Sequence, residues 1–118
     1  MPFERRALAL AVTIVLAGCA GHLAEGESAF RRGDYPEAKR TLGALEASAR
    51  SWPDERRAEY ALYRGLTFAA LGDGVRADRW LEQAEALEES RPGSLSPDDA
   101  HRLETALEAS CPVCATGP

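Results

Sequence analysis

Apolar side chains follow two different patterns along this chain of 118 residues. Near the amino terminus, residues 7–17 read ALALAVTIVLA, a run in which only Thr13 is polar. From about residue 23, apolar positions instead recur every three or four residues between polar ones, which is the spacing of amphipathic α-helices. The first pattern is typical of a targeting segment, and the second predicts an all-α domain.

The helical pattern predicts five helices, over residues 23–32, 35–49, 54–71 and 74–90 and from Ser96 onwards. Their apolar faces carry Ala58, Ala61, Leu62, Gly65, Leu66 and Phe68 in the third helix, Ala77, Trp80, Leu81, Ala84 and Leu87 in the fourth, and Ala100, Leu103, Ala106 and Leu107 in the fifth. Gly33 and Gly72 are placed to end a helix in the left-handed conformation. Asp34 and Asp73 follow them, where their side chains can cap the next helix.

Two segments of the domain repeat each other at a fixed offset. Residues 26–45 align with residues 65–84, and five landmark pairs are all 39 positions apart. The pairs are Gly26 with Gly65, Gly33 with Gly72, Asp34 with Asp73, Ala38 with Ala77 and Leu42 with Leu81. Small residues before and after the turn allow two helices to cross closely. Each segment therefore predicts a helix, a tight turn and a second helix.

This repeat resembles the tetratricopeptide repeat, and the resemblance covers roughly residues 23–90. It departs from the family in its period of 39 rather than about 34 residues, in Ala29 where a large aromatic is usual, and in the absence of the closing proline. The resemblance implies a domain over residues 23–110, with about two repeat units and the fifth helix as a C-terminal cap. Alternatively, the fifth helix begins a third unit that a partner completes.

In the tetratricopeptide family, the first helix of each unit lines a concave groove. The resemblance therefore implies a partner-binding groove formed by Leu23, Glu27, Phe30 and Arg31 in the first unit and by Glu59, Leu62, Leu66 and Ala69 in the second. The second set is largely apolar, so the alternative is that the fifth helix covers it. We expect the aromatic residues Trp52, Tyr60, Tyr63, Phe68 and Trp80 to lie in the core or to line the groove.

The amino-terminal run has the features of a secretory signal. Arg5 and Arg6 precede it, small residues follow it, and its eleven residues are fewer than the 20 or so that a membrane-spanning helix needs. A buried amino-terminal helix is the alternative, but such a helix would be apolar on every face.

Residues 16–19, LAGC, resemble the lipobox of bacterial lipoproteins. The resemblance implies cleavage before Cys19 and lipid attachment to it. Residues 1–18 would then be a signal peptide, and residues 19–22 a lipidated tether. In bacterial lipoproteins, an Asp directly after the cysteine often marks retention in the inner membrane. Here Ala20 and Gly21 follow the cysteine, so the resemblance implies the outer membrane, with the domain facing the periplasm.

Charge and motifs exclude several classes of function. The net charge is −5, and it becomes −6 when Glu4, Arg5 and Arg6 leave with the signal peptide. Nucleic-acid binding needs a basic face, which no stretch of the sequence supplies. The chain has no HExxH, no GxSxG and no phosphate-binding loop. We therefore predict a protein that is not an enzyme and has no cofactor, no metal and no small-molecule substrate.

Cys111 and Cys114 form a CxxC pair in the tail of residues 111–118. With Cys19 acylated, these two are left to pair with each other, as a local disulfide or as free thiols. A thioredoxin-like pair normally follows a strand, and this one follows a predicted helix. A zinc site would need two further ligands, for which only His22 and His101 are available.

The sequence thus predicts a membrane-anchored lipoprotein that acts as a protein-interaction scaffold or assembly factor in the bacterial envelope. Its partner would be another envelope protein. Two alternatives remain open: a structural envelope lipoprotein without a specific partner, and a thiol redox protein that uses Cys111 and Cys114.

Overall fold

A computed structural model of the protein describes residues 21–110, and these residues form six helices. The elements are α1 (residues 21–31), α2 (Tyr35–Gly43), α3 (Glu46–Ala49), α4 (Asp54–Ala70), α5 (Gly74–Ser90) and α6 (Pro97–Ser110). No strand occurs within residues 21–110. The predicted all-α fold is confirmed.

The turns after α1 and α4 have the same geometry. Gly33 and Gly72 adopt φ of 79° and 81°, in the left-handed region that favours glycine. The next residues cap the following helices: Oδ1 of Asp34 accepts from the backbone N–H of Glu37 at 3.3 Å, and Oδ1 of Asp73 from that of Arg76 at 3.2 Å. Both predicted turns are therefore confirmed.

Helix α4 is the central element of the domain. It packs against α2, α3, α5 and α6, and its contact with α5 is the most extensive. Ala58, Ala61, Leu62 and Tyr63 are completely buried, and the apolar core continues into Leu42, Leu81 and Leu103 of the surrounding helices. This arrangement gives α4 two long side faces, one towards α1 and α6 and the other towards α2 and α5.

The second predicted helix, over 35–49, is interrupted in the structure. Helix α2 ends at Gly43, and α3 begins only at Glu46. The carbonyl oxygen of Leu42 accepts from the backbone N–H of Leu45 at 3.1 Å and from the hydroxyl of Tyr60 at 2.7 Å. The turn therefore tightens from the α-helical pattern to the shorter i to i+3 pattern. The other helix bounds differ from the predicted ones by at most two residues.

Most of the predictions for the two ends of the chain concern residues outside those that the structure describes. The signal peptide 1–18, Cys19 and the tail with Cys111 and Cys114 are all outside 21–110. Residues 21 and 22, which the sequence assigns to a tether, are helical and belong to α1. Among the described helices, none combines the length and the apolar character needed to cross a membrane.

Candidate functional site

A hydroxyl group links α1, α4 and α6. The side chain of Tyr63, on α4, is fully buried, and its hydroxyl donates to Oδ1 of Asp99 on α6 at 2.9 Å. The same oxygen accepts from Arg31 of α1 at 3.1 Å and from Arg102 of α6 at 3.2 Å. Both donors are charged, which makes such hydrogen bonds stronger than neutral ones. We call Tyr63, Arg31, Asp99 and Arg102 the tyrosine cluster.

Beside this cluster lies a buried acid. Glu27 of α1 is only 7% exposed, and its Oε1 has no hydrogen-bond partner among the described residues. Burial, above all, raises the pKa of Glu27 to about 8, and the neighbouring carboxyl of Glu59 adds to the shift through a hydrogen bond and through its charge. Arg31 acts in the opposite direction, and Asp99 adds a smaller increase. Glu27 is therefore protonated at neutral pH.

An open cavity adjoins the tyrosine cluster. It has a volume of about 530 Å³ and a mainly apolar wall. Its lining residues are Phe30 of α1, Leu66 of α4, and His101, Arg102, Thr105, Ala106 and Ala109 of α6. We call it the α1–α6 groove. It offers apolar surface in its wall, and charged and hydrogen-bonding groups at its edge.

The structure divides the eight predicted groove residues into three groups. Leu23 and Leu62 are in the core, and Glu27 is buried beneath the surface. Phe30 and Leu66 line the α1–α6 groove, and Arg31 lies exposed at the neighbouring tyrosine cluster. Glu59 is half-buried and next to Glu27, whereas Ala69 is exposed and does not line this cavity.

Helix α6 covers part of the predicted groove face and leaves the rest open. Leu103 packs into the same core cluster as Leu62, so the apolar second set is partly covered. Ala106 and Ala109 of the same helix line the open part. The sequence placed Tyr63 in the core or the groove, and it is in the core. Asp99 and Arg102 were not predicted as site residues, although Asp99, Arg102, Ala106 and Ala109 follow one another at helical spacing.

The polar groups of the site act as hydrogen-bond donors and acceptors between the helices. Tyr63 remains a neutral hydrogen-bonding group, because burial and the hydrogen bond to Asp99 raise its pKa. His101 is exposed, and residues 21–110 contain no group of three or more His, Cys, Asp or Glu side chains that could hold a metal ion. The arrangement positions helices and offers surface for contact.

The protonated state of Glu27 predicts a stability that falls as pH rises. Below about pH 4.5 this carboxyl is protonated in both states, and above about pH 8 it is ionised in both. Between these values the unfolded chain releases a proton that the folded chain keeps. The free energy of unfolding therefore decreases with pH, by at most about 1.4 kcal/mol per pH unit. Urea denaturation across this window measures the slope.

Glu27→Gln tests the origin of that slope. Its amide cannot ionise, so we expect the variant to be more stable than the unmodified protein at about pH 8 and to show a flatter pH profile. Glu104→Gln is the matched control, since Glu104 is exposed on α6 and should leave the profile unchanged. An unchanged slope in Glu27→Gln would contradict the assignment.

Searches against protein-family models, curated proteins and solved structures give no match for this chain.

Proposed function

We propose that this chain is a lipid-anchored interaction scaffold of the bacterial envelope, which binds another envelope protein in the α1–α6 groove. The observation that supports this proposal most directly is the groove itself, an open, mainly apolar cavity of about 530 Å³ between three helices. Phe30 and Leu66 are only half-buried there, and Ala109 is exposed. An apolar side chain of a partner segment would cover this surface and gain about 25 cal/mol for each Å² of apolar area buried.

The tyrosine cluster supports this proposal by fixing the groove walls. Arg31, Asp99 and Arg102 meet at the hydroxyl of Tyr63, so α1 and α6 are held to the same point of α4. A groove whose walls are already positioned loses less conformational entropy when a partner binds. His101 and Arg102 at its edge provide donors to the carbonyl or carboxylate groups of the partner.

The anchor in this proposal is Cys19, on the strength of the LAGC sequence. Cys19→Ser should accumulate as an unprocessed precursor without attached lipid, because serine lacks the thiol that receives the acyl chain. Metabolic labelling with a fatty acid, followed by fractionation of membranes, measures both effects. A variant that still matures and remains on the membrane would contradict lipid anchoring, without bearing on the groove.

Charge placed in the groove tests the partner-binding surface. Ala109→Glu should reduce crosslinking to the partner at least about tenfold, since a carboxylate would have to be desolvated against an apolar surface. The residue is exposed, so the thermal transition should stay in place. Crosslinking in intact cells with mass spectrometry, compared between variant and unmodified protein, provides the measurement.

The control is Ala47→Glu, which introduces the same charge at an exposed position of α3 and should leave the crosslinks unchanged. Equal crosslinking in Ala109→Glu and the unmodified protein would contradict the groove. The absence of any specific crosslink would favour a purely structural lipoprotein. Loss of function in Cys111→Ser/Cys114→Ser, with the helical fold intact, would favour the redox alternative.

A further inference from the structure

A second recess lies between α2 and α5. It consists of a cavity of about 520 Å³ and an adjoining one of about 330 Å³, which share Glu46, Arg79 and Trp80 in their walls. The first extends from Pro36 along α2, and the second reaches Gln83 on α5. We call the combined recess the basic trough. It is elongated, and the side chains along it come from four helices.

Cations concentrate in this trough although the chain as a whole is acidic. Lys39, Arg40, Arg64, Arg76 and Arg79 line the first cavity, and Arg50 and Arg57 line the second. These seven are half of the 14 basic residues in the chain, whereas only one of its 19 acidic residues, Glu46, lines either cavity. The trough therefore has a charge opposite to that of the protein.

Carboxylates near the trough neutralise only some of these cations. Ion pairs join Arg64 to Glu46 at 2.9 Å, Arg76 to Asp73 at 3.4 Å and Arg57 to Asp54 at 3.6 Å, and Arg40 pairs with Glu37. Within residues 21–110, Lys39, Arg50 and Arg79 form no ion pair. Because most of the pairs are exposed, they contribute little and exchange readily for other partners.

The floor of the trough holds like charges close together on aromatic surface. Lys39, Arg64 and Arg76 all lie within 6.0 Å of the centre of the Phe68 ring. Arg64 also lies 4.9 Å from the centre of the Trp80 ring. The attraction of cations to aromatic faces offsets part of their mutual repulsion. A bound anion would remove the rest.

Arg64 adds an unused hydrogen-bond donor. It is 8% exposed, its Nη2 donates to Glu46, and its Nε has no hydrogen-bond partner among the described residues. A buried donor without a partner costs free energy. A carboxylate that enters the first cavity, which Arg64 lines, would bring a further acceptor close to this guanidinium.

The trough is separate from the α1–α6 groove. At 100° per residue, the side chains of Arg64 and Phe68 point from α4 about 100–180° away from those of Glu59, Tyr63 and Leu66. None of the residues that line the groove lines the trough. A ligand could therefore occupy either recess without contacting the other.

We propose that the basic trough is a second protein-binding site, which takes an acidic segment of a partner protein with apolar residues between its carboxylates. Two adjoining cavities suit a chain of several residues better than one small anion. The rings of Phe68 and Trp80 lie in the recess, where apolar side chains of a peptide can pack against them. A flat membrane surface would not reach them. The net charge of −5 opposes a nucleic acid.

A synthetic peptide tests this inference in solution, independently of the anchor. The probe is a short fluorescein-labelled peptide that alternates Glu and Leu, and its analogue replaces each Glu with Gln. The protein is the full-length chain carrying Cys19→Ser, and fluorescence anisotropy measures binding. Lys39→Glu/Arg79→Glu should weaken binding of the acidic peptide by about tenfold or more. The Gln analogue should bind no more tightly than this variant binds the acidic peptide.

The matched control is Arg32→Glu/Arg91→Glu, which changes the net charge equally at exposed residues outside the trough and should alter the affinity less than about twofold. Ala109→Glu should bind the peptide normally, so this result stands apart from that for the α1–α6 groove. Equal weakening in both charge-reversed variants, or no binding to the unmodified trough, would overturn the proposal. So would displacement of the peptide by inorganic phosphate, or binding to phosphatidylglycerol vesicles that depends on Lys39 and Arg79.

Discussion

Gly65→Val is expected to lower the free energy of unfolding by about 3 kcal/mol or more. A Cβ atom at this position would lie 2.7 Å from Cγ and Cδ2 of Leu81 and 3.1 Å from its backbone nitrogen. The leucine side chain can rotate, but the backbone nitrogen moves only if α5 moves away from α4. Because these two helices form the most extensive contact among α2 to α6, their separation would loosen the core. Urea denaturation measures the loss.

Two other glycines give controls of graded severity. At Gly26, an added Cβ would meet only the side chain of Leu42, so Gly26→Ala should cost about 1 kcal/mol. At Gly74 nothing lies within 4 Å, and Gly74→Ala should be neutral or slightly stabilising. If Gly65→Val denatured at the same urea concentration as Gly74→Ala, the close helix crossing would be contradicted.

These glycines also show which features of the fold can be predicted from the sequence. Gly26 and Gly65 occupy equivalent places in the repeated pattern, which predicts a close helix crossing at both. The helices and turns were predictable because their signals are local: a glycine with positive φ, an aspartate cap and an apolar stripe. The difference between the two glycines was not predictable, since it depends on how closely each pair of helices approaches.

The break between α2 and α3 has a cause that lies further along the chain. The hydroxyl of Tyr60 reaches the carbonyl of Leu42 across 18 residues, and nothing near residue 44 encodes that contact. The burial of Glu27 likewise depends on residues that are distant in the sequence. The resemblance to the tetratricopeptide repeat implied a groove-lining acid, but the packing around it, with Glu59 and Asp99 near its carboxyl, decides that it is buried and protonated.

The basic trough could not be predicted from the sequence, for a related reason. Its cations are spread from Lys39 to Arg79, among acidic residues that keep every local stretch close to neutral. Packing of α2 and α5 on either side of Arg64 and Phe68 brings them together. The net charge is a sum over the whole chain, whereas the three-dimensional fold decides where positive or negative side chains cluster.

Tyr63→Ala should reduce the free energy of unfolding by about 3–5 kcal/mol, the range for removing a large buried aromatic side chain. The ring is fully buried and packs edge-on against Phe30 with centroids 5.7 Å apart. Its hydroxyl also holds Arg31, Asp99 and Arg102 together. The variant would lose both the packing of α1 on α4 and the attachment of α6.

Tyr63→Phe separates these two contributions. It keeps the ring and removes only the hydroxyl, so we expect a loss of about 1 kcal/mol, because the three charged partners remain partly accessible to water and Asp99 can pair with either arginine. Hydrogen exchange should show faster opening of Pro97–Ser110 in this variant than in the unmodified protein, with the α4–α5 amides unchanged. Equal exchange in α6 would contradict the view that the hydroxyl attaches this helix. If it is confirmed, the Tyr63 hydroxyl helps the packing of Leu103 to position the wall that carries Thr105, Ala106 and Ala109. Tyr63→Phe should then weaken partner capture in the α1–α6 groove while leaving the basic trough unaffected.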